Sequence, residues 1–296
     1  THPALRPRYR GYDAATGAVD HRYSWHDAFG KYAAPTDPHG HGTHTTGTMV
    51  GDDGAANQVG VAPGARWIAC RNMDAGGVGS PASYLECMEF LLAPWPPGGD
   101  PLRDGRPDLG AAIVNNSWTC PASEGCDADT LRLAFERLRR AGVLDVNAAG
   151  NGGPACETVS DPPAIYADVV SVAATTSANE VAGFSGRGPV TRDRSGLLKP
   201  DISAPGVSVR SAVPGGGYAL SVQSGGRLDV RGTAGSPAMV THHSGNYAFT
   251  LASGSSLVAG NAVFEYMDGN GLTLADGAAL VEPYTFNGCT FRYGVS

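Results

Sequence analysis

The chain of 296 residues lacks the features that mark nucleic-acid-binding and membrane-spanning proteins. Its formal net charge is -7, and no basic run is long enough to indicate a nucleic-acid partner. No apolar run approaches the roughly 18 residues that a membrane-spanning helix needs. No Cys-x-x-Cys pair occurs, which argues against a zinc site. No secretory leader precedes Thr1-His2-Pro3, so we expect a processed or trimmed segment. We expect an exported protein, secreted or at the cell surface.

What the chain does contain predicts a folded, loop-rich protein stabilised by disulfides. Hydrophobic residues make up 42% and charged residues 17%, which predicts a sizeable core, and 42 glycines with 21 prolines predict many tight turns. Cys120 and Cys126 bracket a short turn, and Cys70 and Cys87 span a strand and the helix after it. We interpret the cysteines as disulfides of an oxidising compartment, although their pairing stays open and none lies in a nucleophile motif.

Short apolar runs alternate with amphipathic segments along the first two thirds of the chain. We predict strands at 67–70, 111–114, 143–149 and 168–174, a surface loop at 94–107, a helix opened by Ser80-Pro81 and a helix at 127–141 stopped by Gly142. Strand–helix–strand alternation with short connections predicts an α/β fold, with a mainly parallel sheet and helices on both faces.

The stretch 37–51, DPHGHGTHTTGTMVG, places His41 at the mouth of a helix whose next turns carry glycine and threonine. Side chains this small let a helix lie close to a neighbouring sheet, so we expect a central, buried helix. A single histidine is more often a core or surface residue than a catalyst, and the neighbouring motifs must decide.

Several motifs follow one another along the chain: His-Gly-Thr-His with Thr-Thr-Gly-Thr at 41–48, Asn-Asn-Ser-Trp at 115–118, Ala-Gly-Asn-Gly at 149–152, Phe-Ser-Gly-Arg-Gly-Pro at 184–189 and Lys-Pro-Asp-Ile-Ser-Ala-Pro-Gly at 199–206. In this order they resemble the motifs of the subtilisin family of serine endopeptidases, and in particular its bacillopeptidase F-like members. The resemblance covers roughly residues 1–218.

The resemblance implies hydrolysis of peptide bonds in a protein or peptide substrate. It assigns His41 as general base and Asn151 as donor to the oxyanion. It also implies a substrate-binding edge formed by Ser117, Trp118, Thr119, Ala149 and Gly150. Thr119 stands where relatives usually have glycine, which would crowd the pocket. No cofactor or metal is expected; calcium is common in the family, but no acidic loop is definite enough to assign ligands.

Two motifs of that family are not found in the chain. Its aspartate motif, Asp-Thr/Ser-Gly, does not occur before His41, because none of Asp13, Asp20, Asp27 and Asp37 is followed by Thr-Gly or Ser-Gly. We expect that this aspartate was cut off with the N-terminus. Its serine motif, Gly-Thr-Ser-Met-Ala, has only a near match at 232–237, where Ala234 takes the nucleophile's place and Ser236 would need a shifted register. We therefore expect the chain by itself to be inactive.

The C-terminal part carries repeats of a different kind. The segment 251–258 is echoed by 274–281 and by an earlier variant at 222–228, and 264–267 is echoed by 291–294. Repeats of roughly 20 to 30 residues with Gly, Ser and Asn corners predict a partial right-handed parallel β-helix at 219–296. This favours an alternative function, a non-catalytic pseudo-peptidase whose β-helix binds a surface or a glycan in adhesion. A third interpretation is an artefactual join near Ala219.

Overall fold

The computed structural model describes the chain except for residues 1, 53, 55–57, 215–217, 223–226, 232, 236, 241–246, 266, 282–285 and 293–296. The chain groups into two compact units. The larger unit comprises Leu5–Gly51 and Val59–Ser211, and the smaller comprises Thr1–Ala4, Asp52–Gln58 and Ala212–Ser296. The boundary expected between 218 and 219 stays a prediction.

The larger unit alternates short strands with helices, as the sequence pattern predicts. Its helices are α1 (His41–Val50), α2 (Pro81–Leu92), α3 (Pro101–Asp104) and α4 (Arg132–Arg140). Its strands are β1 (Trp25–Asp27), β2 (Ala69–Arg71), β3 (Ile113–Asn116), β4 (Leu144–Ala148), β5 (Val170–Thr175) and β6 (Ile202–Pro205). Turns of 3-10 helix occupy Arg6–Arg8, Pro107–Leu109 and Ala122–Glu124.

The predicted parallel sheet is present. Strands β3, β4, β5 and β6 lie side by side in that order and every pair is parallel. Strands β1 and β2 form a separate parallel pair. The carboxyl ends of β3 and β4 therefore lie at the same edge, where Asn116 is the register partner of Asn147.

Capping explains where the helices begin. The Ser80 side chain accepts from Ser83 N while the Ser83 side chain accepts from Ser80 N, which confirms the predicted start of α2. The predicted start of α4 at 127 is wrong. Asp127 Oδ1 accepts from the amides of Asp129 and Thr130, which makes a turn, and the helix begins only at Arg132. The 94–107 segment is also not wholly a loop, because Asp100 caps the single turn α3.

Both disulfides join the cysteines that the sequence pairs as candidates. Cys70 is bonded to Cys87 and Cys120 to Cys126, while Cys156 and Cys289 are free thiols. The first bond ties β2 to α2, and the second closes the turn after β3.

The main core lies on one face of the sheet. Val114 of β3 packs in a buried cluster with Tyr84 and Met88 of α2 and with Phe135 and Leu138 of α4. The opposite face leaves the side chains of three sheet residues exposed: Ile113 (63%), Leu144 (47%) and Ile202 (56%). The expectation that helices cover both faces is wrong at these positions, because α2 and α4 both belong to the cluster on the other side.

In the smaller unit the chain passes through three sheets in the same order three times. The strands are β7 (Tyr218–Val222), β8 (Arg227–Arg231), β9 (Ala238–Val240), β10 (Tyr247–Leu251), β11 (Ser256–Gly260), β12 (Ala262–Glu265), β13 (Met267–Leu274), β14 (Ala279–Leu280) and β15 (Thr290–Arg292). Their sheets are β7-β10-β13, β8-β11-β14 and β9-β12-β15, all parallel.

The sequence echoes coincide with the register of these sheets. Leu251 is paired with Leu274, Leu257 with Leu280, and Phe264 with Phe291. The rings of Phe264 and Phe291 stack at 5.1 Å. The repeat positions 223–226, 266, 293 and 294 lie outside the described residues, as do Gly232 and Ser236 of the near match to the serine motif.

Candidate functional site

The first turn of α1 presents His41. Its N-cap is Gly40, whose φ of 93° lies in the left-handed region and which has no side chain to cap the helix. Asp37 supplies the missing acceptor: its Oδ1 accepts from Gly40 N at 2.8 Å and its Oδ2 from Thr43 N at 2.6 Å. A helix can therefore begin at the histidine although the residue before it is a glycine.

The His41 imidazole lies among other titratable rings. The ring of His39 stands edge-on to it, with 6.2 Å between the ring centroids. Partial desolvation lowers the pKa of His41, the neighbouring His39 and His44 lower it further, and Asp37 opposes them. A depressed pKa keeps the imidazole unprotonated at neutral pH, the state that a general base needs.

Helix α1 is less enclosed than its small residues suggest. His41 and Gly42 are exposed, and only Gly47 and Val50 are buried. The expectation of a central, buried helix is wrong, because the anchoring contacts of α1 come from loop segments. His44 contacts the carbonyl of Val209 through Nε2 at 3.2 Å, and Ser211 Oγ donates to the His44 carbonyl at 2.6 Å.

A second group of candidates follows β3. Asn115 Nδ2 donates to Ser117 Oγ at 2.9 Å. The Trp118 ring stacks on Tyr84 of α2 with 4.0 Å between centroids and an interplanar angle of 8°. Thr119 then precedes Cys120, whose amide donates to the Pro162 carbonyl at 2.7 Å and whose sulfur is in a disulfide. Ser117, Trp118 and Thr119 thus form a braced segment at the sheet edge.

The third group follows β4 at the same edge. Ala149 N donates to the Val172 carbonyl at 3.0 Å, and the Gly150 carbonyl accepts from Gly186 N at 2.9 Å. Gly150 has a φ of 86°, which an L side chain rarely adopts, and this conformation turns the chain at the end of the strand. Asn151 follows in an exposed bend, where its side chain is open to solvent.

The structure brings the second and third groups together. A Cβ added to Gly150 would lie 3.8 Å from Thr119 Cγ2, so Thr119 borders the backbone of the Ala149–Gly150 turn. Among the described residues, no hydrogen bond or ring contact joins His41 to either group. No aspartate or serine among them hydrogen-bonds to the His41 ring.

Sequence reasoning missed two features of the larger unit. The first is the capping role of Asp37, whose carboxylate accepts from the amides of Gly40 and Thr43 and which the motif comparison treats only as a triad candidate. The second feature is a buried polar row on β3 and β4, where Asn116 Nδ2 donates to Asp145 Oδ1 at 3.4 Å. Asp145 Oδ2 and both polar side-chain atoms of Asn147 have no hydrogen-bond partner. Period-two alternation in 143–149 places Asp145 and Asn147 on one face and would have revealed them.

The described residues contain neither a metal-binding cluster nor a membrane-spanning helix. Within that part of the chain, no three His, Cys, Asp or Glu side chains are arranged to hold a metal ion. None of the helices that the structure describes has the length and hydrophobicity of a membrane span.

Comparisons with known proteins agree with this geometry. The sequence model of the Subtilase family matches residues 1–262. Bacillopeptidase F of Bacillus subtilis (strain 168) is 39% identical over 225 residues, which cover 73% of this chain and 15% of that protein. Subtilisin Savinase of Lederbergia lenta is 34% identical over 183 residues, which cover 62% of this chain and 56% of that protein.

A solved structure supports the same relationship. Sphericase superposes with a TM-score of 0.52 at 27% sequence identity, covering 65% of this chain and 62% of that chain. The larger unit thus has a subtilisin-like fold. The chain spans less than two thirds of the length of each of these relatives. The match to the family model over residues 1–262 shows that the chain belongs to the subtilase family.

Proposed function

We propose that the larger unit is a serine endopeptidase domain, built for the hydrolysis of peptide bonds. We propose also that the protein is secreted or lies at the cell surface. His41 is the general base, and Asn151 donates from its side chain to the oxyanion. Ser117, Trp118 and Thr119 form one wall of the substrate site, and Ala149 and Gly150 the other. The observation that carries this proposal is the position of Thr119 beside the Gly150 turn, at the edge where β3 and β4 both end.

The chemistry of each group suits its assigned role. An amide side chain at an exposed bend can donate to a carbonyl oxygen that gains negative charge during attack. An imidazole with a lowered pKa can accept the proton of a hydroxyl nucleophile near neutral pH. Backbone groups of Ser117–Thr119, which directly follow β3, can pair with a substrate strand, and this pairing orients the scissile bond.

The wall formed by Thr119 gives a test that does not require turnover. Peptide binding is measured by chemical-shift changes at 117–119 and 149–151 in the isotopically labelled chain. Thr119→Gly should open the pocket and strengthen binding of peptides with large side chains, whereas Thr119→Arg should weaken it about tenfold or more. Binding that both variants leave unchanged, or shift changes confined to other residues, would remove the substrate site from this edge.

We propose further that the 296-residue chain assayed by itself does not hydrolyse peptides. The support is chemical: Ala234 stands in the Gly-Thr-x position of the serine motif and carries no hydroxyl. In subtilisin, loss of the nucleophile lowers turnover by roughly a millionfold. A fluorophosphonate probe should leave the chain unlabelled. Labelling that is lost in Ser236→Ala but kept in Ser255→Ala would identify Ser236 as a nucleophile and overturn this proposal.

For the smaller unit we propose a right-handed parallel β-helix of three coils. Its support is the repeated passage through three parallel sheets, with Leu over Leu and Phe over Phe. This favours the second candidate function, a non-catalytic module that binds a surface or a glycan. Retention of the full chain on insoluble polysaccharide in the presence of excess peptide would favour it, whereas free elution would count against it.

A further inference from the structure

We propose that Asp37 is a positioning residue for His41: its carboxylate sets the first turn of α1 and places a negative charge beside the imidazole. The catalytic consequence rests on the function proposed for His41. The structural claim does not, since it concerns only how Asp37, the helix start and the ring interact.

The carboxylate of Asp37 accepts two backbone hydrogen bonds at the start of α1. One carboxylate oxygen takes the Gly40 amide at 2.8 Å and the other takes the Thr43 amide at 2.6 Å. These two amides flank His41 in the chain, so the carboxylate spans the residue that it positions. The N-cap itself contributes no side-chain hydrogen bond. The direction in which α1 presents His41 therefore depends on Asp37.

The second support is electrostatic. A carboxylate at a helix N-terminus is favourable because the free amides there carry partial positive charge. The same carboxylate favours the imidazolium form of His41, against desolvation and the rings of His39 and His44, which disfavour it. Asp37 thus stabilises the charge that a general base acquires when it accepts a proton.

Other charged groups lie on the segments that contact this cluster. A Cβ added to Gly77 would lie 3.0 Å from His39 Nε2, and Asp74 in the same turn accepts from the amides of Gly76 and Val78. In the chain, Arg210 lies between Val209 and Ser211, the two residues that hydrogen-bond to His44. Only Asp37 combines a negative charge with hydrogen bonds to both flanks of His41 among the described residues.

Asp37→Asn separates the charge from the cap, because asparagine keeps the shape and one acceptor oxygen. We expect this variant to lower the pKa of His41, so that the acid dissociation constant of the imidazolium rises about two- to fivefold. The change is modest because the ring is exposed and the charge is screened. Asp37→Ala removes both contributions, so it should also accelerate hydrogen exchange of the Thr43 amide. Asp13→Asn is the matched control: it removes the same charge from an exposed turn.

The measurement is an NMR titration of the His41 ring in the full chain, with its resonance assigned from His41→Gln. A fall in the pKa of His41 in Asp37→Asn and none in Asp13→Asn supports the proposal. Equal shifts in both variants would reduce Asp37 to one contributor to net charge, and an unchanged or raised pKa would overturn the proposal. Peptide binding at Thr119 tests the proposed function in a separate experiment. Failure of that experiment therefore does not affect the result for Asp37, and failure of the titration does not affect the proposed function.

Discussion

The two faces of the four-stranded sheet differ in an unusual way, because polar side chains are buried on one face and apolar side chains are exposed on the other. The face packed under α2 and α4 carries Asn116, Asp145 and Asn147 in full burial. The other face carries Ile113, Leu144 and Ile202, each about half exposed or more. Apolar burial is the main favourable contribution to folding, and burial of a polar group without a partner opposes it. Each face therefore gives up stability that an ordinary parallel sheet would keep.

The difference shows where the stability of the larger unit comes from. Burial of the apolar cluster on this face, which includes Val114 and the aromatic rings of Tyr84, Phe135 and Tyr166, offsets the cost of the buried polar residues. The opposite face has no such cluster among the described residues. Helix packing over one face thus stabilises the sheet, while the other remains an apolar surface of the kind that marks an interaction or aggregation site.

The largest expected effect is at Asp145. Burial raises the pKa of this carboxyl from its ordinary value of 3.8 to about 7. The unfolded chain therefore releases the proton before the folded chain does, so the free energy of unfolding falls as pH rises from about 4 to about 7 and then levels. From pH 4.5 to pH 8, Asp145→Asn should gain about 2–4 kcal/mol relative to the natural chain. Urea unfolding at the two pH values measures this.

Asp13→Asn is the control for that experiment. Hydrogen bonds from Thr16 and from the Ala15 amide hold the pKa of Asp13 below its ordinary value, so this carboxyl is ionised throughout the interval. Its variant should keep a constant offset from the natural chain. A constant offset for Asp145→Asn as well would show that the buried carboxyl does not titrate in this range.

Ile113 and Val114 allow the two faces to be compared at adjacent positions of one strand. Val114 is 4% exposed and Ile113 is 63% exposed. Val114→Thr buries a hydroxyl in the apolar cluster and should lower the free energy of unfolding by about 1–3 kcal/mol. Ile113→Thr should change it by less than about 0.5 kcal/mol. Equal losses in chemical unfolding of the two variants would mean that both faces are covered in solution.

Local sequence rules were sufficient where one residue decides the structure. Ser80 before Pro81 predicted the start of α2, and the echo of Leu251 in Leu274 predicted which residues become neighbours in the smaller unit. Short apolar runs located β3, β4 and β5 within about two residues, whereas strand β6 (Ile202–Pro205) was not predicted. In the candidate site, the motifs place Thr119 after β3 and Gly150 after β4. Because these neighbouring strands are parallel, both residues lie at the same edge of the sheet.

The rest could not be read locally because it depends on what packs against each element. The sequence predicts a helix from Asp127, but the carboxylate of Asp127 accepts hydrogen bonds from the amides of Asp129 and Thr130. The helix therefore begins only at Arg132. The small residues of α1 indicated close packing, but His41 and Gly42 are exposed. Small side chains permit a close neighbour without supplying one. The motif comparison does not predict the role of Asp37, because it tests only the residues directly after each aspartate. Capping depends instead on the backbone amides three and six residues later, those of Gly40 and Thr43.

A small change in stability is also expected when the three apolar residues of the exposed face are replaced together. Ile113 and Leu144 are register partners on β3 and β4, and Ile202 lies on the edge strand β6. Replacing all three with serine should alter the free energy of unfolding by no more than about 1 kcal/mol, because little burial is lost. It should also lower binding of the dye ANS about twofold and slow aggregation, because ANS reports exposed apolar surface. Unchanged dye binding with a large loss of stability would mean that these side chains are covered in solution, and the contrast between the faces would fail.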